Sequence, residues 1–176
     1  ASVAAQSESC HVIGAYALGK AQRVIKLIRE AGHDAPIYLH GAQEKLCGYY
    51  MDQGIELGDL RKALDREKDS FLGHIVIAPP SALRDRWSRR LPNPVVCQAS
   101  GWMTIKQRAK QSGVELPLVI SDHADWNELT TTIAATGAET VWVTHGREDA
   151  LVHWCRQRGL AAEPLYLQGR EEDLSE

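Results

Sequence analysis

Leu118-Val119-Ile120-Ser121-Asp122-His123-Ala124-Asp125-Trp126 and Thr140-Val141-Trp142-Val143-Thr144-His145-Gly146 decide how this chain is read. Each is a short apolar, β-branched run that ends in a polar cluster containing a histidine. Leu118–Ile120 and Val141–Val143, flanked by Ser, Asp, Thr and Gly, have the pattern of buried strands of a parallel sheet. The stretch between them, Trp126 to Thr136, has Asp125 or Asn127 as N-cap and Gly137 as C-cap, the signature of a helix. Together they predict a βαβ unit with His123 and His145 just past the carboxyl ends of two adjacent strands. That edge is where ligands collect in open α/β sheets. One such histidine alone reads as a hydrogen-bonded surface residue. Two at equivalent strand ends make a metal or acid–base site an equal alternative to that reading, and no short metal-ligand spacing links them.

The rest of the chain repeats the alternation. Cys10–Gly14 has strand character. Tyr16 to Ala31 carries apolar residues at helical spacing and stops at Gly32. Pro36–His40 is a strand and Ala42–Gln53 a helix before Gly54. Leu60–Asp65 is expected as a short helix in a charged loop. Gly73–Ala78 is a strand stopped by Pro79-Pro80, followed by a helix from Ser81 to about Arg90. Val95–Ala99 is a strand and Met103–Gln111 a basic helix. Glu148–Arg158 is a helix, Pro164–Leu167 a last strand, and the tail from Gly169 is acidic and frayed. Strands alternating with helices over short connections predict a Rossmann-like, three-layer α/β/α fold with a mainly parallel sheet.

Composition narrows the function classes. The 176 residues are 44% hydrophobic, enough for a core, and the net charge of −3 gives no global basicity of the kind that announces nucleic acid. Cys10, Cys47, Cys97 and Cys155 form no C-x-x-C and read as reduced thiols of a cytoplasmic protein. No apolar run reaches membrane-spanning length. Residues 1–9 read as a linker or an expression remnant.

Three motifs bear on chemistry. Gly14-Ala15-Tyr16-Ala17-Leu18-Gly19-Lys20-Ala21 fits G-x-x-x-x-G-K, but Ala21 stands where a P-loop needs Ser or Thr for Mg²⁺. It reads better as a helix start, with Tyr16 to Leu18 in the first turn and Gly19 allowing close packing. Arg84, Arg86, Arg89 and Arg90 fall on about two helical turns around Trp87, a patch able to neutralise phosphates and stack on a base. On composition alone a solvated helix face is the slightly better reading. Lys106, Arg108 and Lys110 strengthen the nucleic-acid reading if both groups face one cleft. Asp122 and Asp125 flank His123, and a carboxylate beside an imidazole can hold one tautomer. Asp125 can also cap the following helix. His11, His33, His40, His74 and His153 read as structural or surface residues.

Several of these stretches, in order, resemble the C-terminal half of the metallo-β-lactamase-fold nucleases with a β-CASP region. That family includes RNA 3′-end-processing endonucleases, Artemis-type DNA nucleases, and the bacterial exonucleases that accompany a DNA ligase and a helicase. Tyr16 to Arg23 is similar to the helix after the first β-CASP strand, and Pro36–His40 follows as in the family. Ser121-Asp122-His123-Ala124-Asp125 resembles S-x-H-x-D, and Val143-Thr144-His145-Gly146 resembles V-H-G. The likeness spans roughly Val12 to Trp154. It implies that His123 assists the scissile phosphate or protonates the leaving group, with Asp125 in the same motif. It implies that His145 ligates one of two zinc ions, and that the reaction is two-metal phosphodiester hydrolysis. Implied partners are DNA or RNA, a DNA ligase and a helicase.

The chain departs from the family in two places. The S-P-G-M turn reads Pro79-Pro80-Ser81-Ala82, and no H-x-H-x-D-H is present. A catalytic zinc needs about three protein ligands. The resulting expectation is a β-CASP-like domain over 10–115, a returning metallo-β-lactamase segment over 116–168, and an acidic tail over 169–176. Such a fragment of a nucleic-acid phosphodiesterase is inactive until its missing half supplies the other ligands. The rival reading is a non-catalytic α/β module that binds nucleic acid or a nucleotide.

Overall fold

The computed structural model describes residues 1–64 and 66–167. The acidic tail and Asp65 lie outside the described residues. The chain divides into two compact units, residues 1–123 and 124–176.

The first unit is built on a six-stranded parallel sheet, in the order β3-β2-β4-β1-β5-β6. A short helix α1 (Ser2–Ala5) precedes β1 (Cys10–Gly14), and α2 (Lys20–Glu30), β2 (Ile37–Leu39) and α3 (Gly41–Asp52) follow. Next come β3 (Leu60–Lys62), β4 (Ile75–Ala78), β5 (Pro94–Ala99), α4 (Lys106–Gln111) and β6 (Leu116–Leu118). β1 is the middle of the sheet, and all five of its residues are buried. The chain winds outward from it in one direction through β2 and β3. It then returns as β4 and crosses β1 to lay down β5 and β6, a doubly wound arrangement.

Side chains alternate across this sheet. Ile13, Ile37, Leu39, Ile75 and Ile77 pack with Val24 and Ile25 of α2 and Cys47 of α3. Cys10, Val12, Tyr38 and Val76 pack on the other side with Phe71, Ala82 and Leu91. Apolar helix spacing is why α2 covers its face, and near-continuous apolar strands are what a sheet buried on both faces requires. All four cysteines are buried and unpaired. Burial pushes the thiols of Cys10 and Cys97 up to about 12, with a smaller contribution from Cys97 on Cys10 and from Glu115 on Cys97.

Several expectations fail here, among them the strand expected over Leu118–Ile120, which is β6 and ends at Leu118. Leu60–Lys62 is not helical: it pairs with β2 as an edge strand, Ile37 against Leu60, with Arg61 and Lys62 keeping that edge charged. The segment after β4 is not one helix but two short 3₁₀ turns, Pro80–Arg84 and Ser88–Arg90. The Ser88 hydroxyl donates to the Leu83 and Asp85 carbonyls, and Asp85 accepts from the Arg86 amide, so side chains take up backbone groups a helix would use. Tyr16 to Leu18 also lie outside α2. Gly19 has φ 76° at the N-cap, and a Cβ there would meet nothing within 4 Å, so the glycine serves the backbone turn and not close packing.

The second unit contains α5 (Trp126–Thr136), β7 (Thr140–Val143), α6 (Glu148–Gln157) and β8 (Ala161–Pro164). Asp125 and Glu128 form a reciprocal capping box at the start of α5, and Gly137 closes it in the left-handed conformation. Leu165–Leu167 is a 3₁₀ turn, so the last strand lies earlier than its sequence suggests. Val143, Val152, Cys155 and Ala162 form a small core. β7 pairs with β8 in a parallel two-stranded sheet, whereas β6 pairs with β5. The strands preceding His123 and His145 are therefore not neighbours in one sheet, which corrects the βαβ expectation. Among the described residues no helix is long and apolar enough to cross a membrane.

Candidate functional site

The segments that leave β1, β5 and β6 at their carboxyl ends surround one cleft of about 830 Å³. Tyr16 comes from the β1–α2 connection and Lys20 from the first turn of α2, Ser100, Gly101, Trp102, Thr104 and Ile105 follow β5, and Ser121, Asp122 and His123 follow β6. This is the edge at which a doubly wound sheet opens its binding crevice.

Lys20 organises the cleft wall. Its side chain is only 3% exposed, and its Nζ lies 2.7 Å from Asp122 Oδ1 on a side chain that is 32% exposed. The same oxygen lies 3.2 Å from Nδ1 of His123, whose ring is 81% exposed. The hydrogen bond from Lys20 is the main reason the Asp122 carboxyl is held below its ordinary value, against an opposing contribution from burial. Asp122 thus links a buried ammonium to an exposed imidazole. The loop carrying them is fixed from both sides. An Arg23 guanidinium nitrogen donates to the Ser121 carbonyl, and the His123 amide donates to Ser121 Oγ at 3.2 Å. A Cβ on Gly101 would meet Ser121 Cβ at 3.2 Å, so the turn after β5 backs directly onto this loop.

A P-loop does not form here. The amides of Lys20 and Ala21 donate to the carbonyls of Leu18 and Tyr16, at 2.9 and 3.0 Å, and are not aimed at a ligand. Lys20 itself is turned to Asp122.

The basic residues divide. Arg108, exposed on α4, lays its guanidinium over the Trp102 ring, 3.8 Å from the centroid. Lys106 is exposed on the same helix. Arg84 donates to the Ser112 carbonyl at 3.1 Å and lines a separate hollow with Pro80, Val96 and Gln98. Arg86 and Arg89 are exposed. Trp87 is half-buried and meets His40 edge-on at 4.6 Å, so it is a packing residue and not a stacking platform. His40 is the N-cap of α3, its Nδ1 accepting from the Ala42 amide at 3.1 Å.

In the second unit, Asp125 accepts from the Glu128 amide at 2.9 Å as the cap of α5. His145 is exposed and has φ 67°, followed by Gly146 at φ 84°. A non-glycine residue in that region is held by its surroundings at a cost, a pattern that clusters at functional sites. Here the His145 amide donates to Glu148 Oε1 at 3.1 Å, and Nδ1 lies 3.1 Å from Thr144 Oγ1. Among the described residues no three His, Cys, Asp or Glu side chains converge to hold a metal ion. The donor set of the described residues therefore does not fit a zinc site by itself.

Reading the sequence missed Lys20 and Trp102 as site residues. Lys20 carried a signal only within the rejected P-loop pattern. Trp102 carried none, because the Arg108 side chain over its ring comes from the next helical segment.

No protein-family model matches the chain. Over 151 residues, 86% of its length, it is 28% identical to a protein of Opitutus terrae named "Probable DNA ligase". The match spans 14% of that protein, about one seventh.

Proposed function

We propose that this chain is part of a DNA-processing phosphodiesterase of the metallo-β-lactamase and β-CASP type that works with a DNA ligase activity. The observation that carries the reading is His123, tied through Asp122 to Lys20, on the wall of a cleft at the carboxyl edge of a parallel sheet. The similarity to a protein named as a DNA ligase favours DNA as the substrate, and the likeness of Ser121–Asp125 to S-x-H-x-D and of Val143-Thr144-His145-Gly146 to V-H-G favours hydrolysis.

The chemistry assigned to this chain's own residues is limited and specific. With Asp122 facing Nδ1, Nε2 of His123 is the ring nitrogen free to exchange a proton with a phosphate or leaving-group oxygen. Lys20 holds Asp122 in place from the buried side. Asp125 sets the start of α5 directly after the motif. Zinc is assigned to His145 together with ligands outside the described residues. Support comes from the strained backbone at His145 and from β7–β8, a two-stranded parallel sheet that leaves Trp142 46% exposed. Parallel sheets are normally covered on both faces, so β7 and β8 suit a place in a larger sheet.

The test uses the full-length gene product, with zinc content measured beside hydrolysis of end-labelled DNA. His145→Ala lowers zinc and abolishes hydrolysis, and His145→Gly does the same while relieving the backbone. His123→Ala keeps zinc and slows turnover. Unchanged zinc and rate in the His145 variants would refute the ligand role. A full-length sequence without H-x-H-x-D-H, together with no hydrolysis, would leave the alternative of a non-catalytic nucleic-acid-binding module.

A further inference from the structure

Two aromatic side chains line the cleft and remain mostly exposed, Trp102 at 58% and Tyr16 at 61%. Trp102 already carries one flat cation: the Arg108 guanidinium lies 3.8 Å from the indole centroid. The platform is built into the fold. Ser100 Oγ accepts from the Trp102 amide at 3.2 Å and starts the 3₁₀ turn Gly101–Thr104, which Met103 anchors in a small core with Ala109 and Val114. That turn backs onto Ser121, two residues from His123.

We propose that Trp102 is a base-stacking platform that takes an unpaired nucleobase of single-stranded DNA. Resting on the nuclease reading above, this names the form of substrate that the cleft admits. A ring with a guanidinium on one face and more than half its side chain exposed offers its remaining surface to a flat, apolar, π-rich partner. Every nucleobase has such a face, so the contact tolerates any sequence. Arg108 strengthens the stack and supplies one positive charge for the adjoining phosphate, while Tyr16 borders the same cleft beside Lys20, whose Nζ lies 5.4 Å from its ring centroid. A paired base inside a duplex has both faces occupied by its neighbours. The cleft thus selects a frayed or overhanging strand and delivers it beside His123.

The experiment measures binding of the full-length protein to a fluorescein-labelled dT12 strand and to a blunt duplex, by anisotropy over a salt series. Trp102→Ala is expected to weaken dT12 binding roughly 5- to 150-fold, the range for loss of one base stack, and to leave duplex binding unchanged. Trp102→Phe retains most of the affinity, which separates stacking from a folding defect. Arg108→Ala lowers the salt slope by about one counterion, whereas Trp102→Ala leaves the slope alone. Equal weakening on both substrates, or none on dT12, overturns the proposal. Trp102-dependent dT12 binding without any hydrolysis supports it while removing the nuclease reading. Hydrolysis with no effect of Trp102→Ala on dT12 does the reverse.

Discussion

Replacing Asp122 by Ala strands the Lys20 ammonium, which is 3% exposed and loses the carboxylate that it meets at 2.7 Å. Replacing Lys20 by Met strands Asp122 instead, but that carboxylate is 32% exposed and keeps His123 at 3.2 Å. The two deletions of one ion pair should therefore cost different amounts. Breaking a buried pair by removing one partner costs about 3–5 kcal/mol, because the other charge stays desolvated. Asp122→Ala belongs near the lower end, about 3 kcal/mol, since the shortened side chain lets some water reach Nζ. Lys20→Met belongs with the more exposed pairs, about 1 kcal/mol, because water can solvate the carboxylate and the methionine stem keeps the packing. Urea unfolding of the two variants and the double variant, followed by far-UV circular dichroism, closes the cycle. The pH dependence has a defined sign. The Asp122 pKa is lowered in the folded state, chiefly by the Lys20 hydrogen bond. Its contribution is then fully present above the unfolded carboxylate value of about 3.9 and is lost as pH falls through the folded value. The deficit of Asp122→Ala should be constant from neutrality to about pH 4 and shrink below it. If Lys20→Met proved as costly as Asp122→Ala, unequal burial of the partners would not be what sets the energetics.

Two further perturbations test the scaffold. The pKa values of His11, His33 and His40 are all lowered, in each case mainly by burial, so the folded chain holds fewer protons than the unfolded one below about pH 6.5. Stability should fall as pH drops from about 6.5 toward the folded values, read as a lower urea midpoint at about pH 5.5 than at about 7.5; an unchanged or higher midpoint would contradict the burial of these rings. Gly14→Ala places a Cβ 2.6 Å from Leu83 Cδ1 and 3.4 Å from the Pro80 backbone, and should cost about 1–3 kcal/mol by overpacking; a neutral result in the same unfolding assay would mean that the turn after β4 gives way freely.

Much of the fold was legible because its signals are local. β1 and α5 fall where their sequence periods place them, and α5 carries its own capping box and left-handed Gly137. The Rossmann-like α/β class follows from the alternation of such elements. Misplaced elements were those whose state depends on a partner strand or on side chains that take up the backbone's hydrogen-bonding groups. Leu60–Lys62 is a strand only because β2 offers an edge, and the arginine segment after β4 is broken by its own Ser88 and Asp85 side chains.

For the site, sequence could nominate His123 and His145 from the type and spacing of their neighbours, because motif chemistry is written in consecutive residues. It could not choose between Asp122 and Asp125 as the partner of His123, nor join Lys20 to Asp122 across about a hundred residues of chain. It also could not see that Trp87 packs on His40 while Trp102 carries Arg108 at the cleft. Composition and periodicity fix which faces are apolar, since burial rewards any side chain of the right kind. Which strands become neighbours, and which charged groups then meet at their ends, is fixed only when the sheet closes and distant segments compete for the same hydrogen bonds.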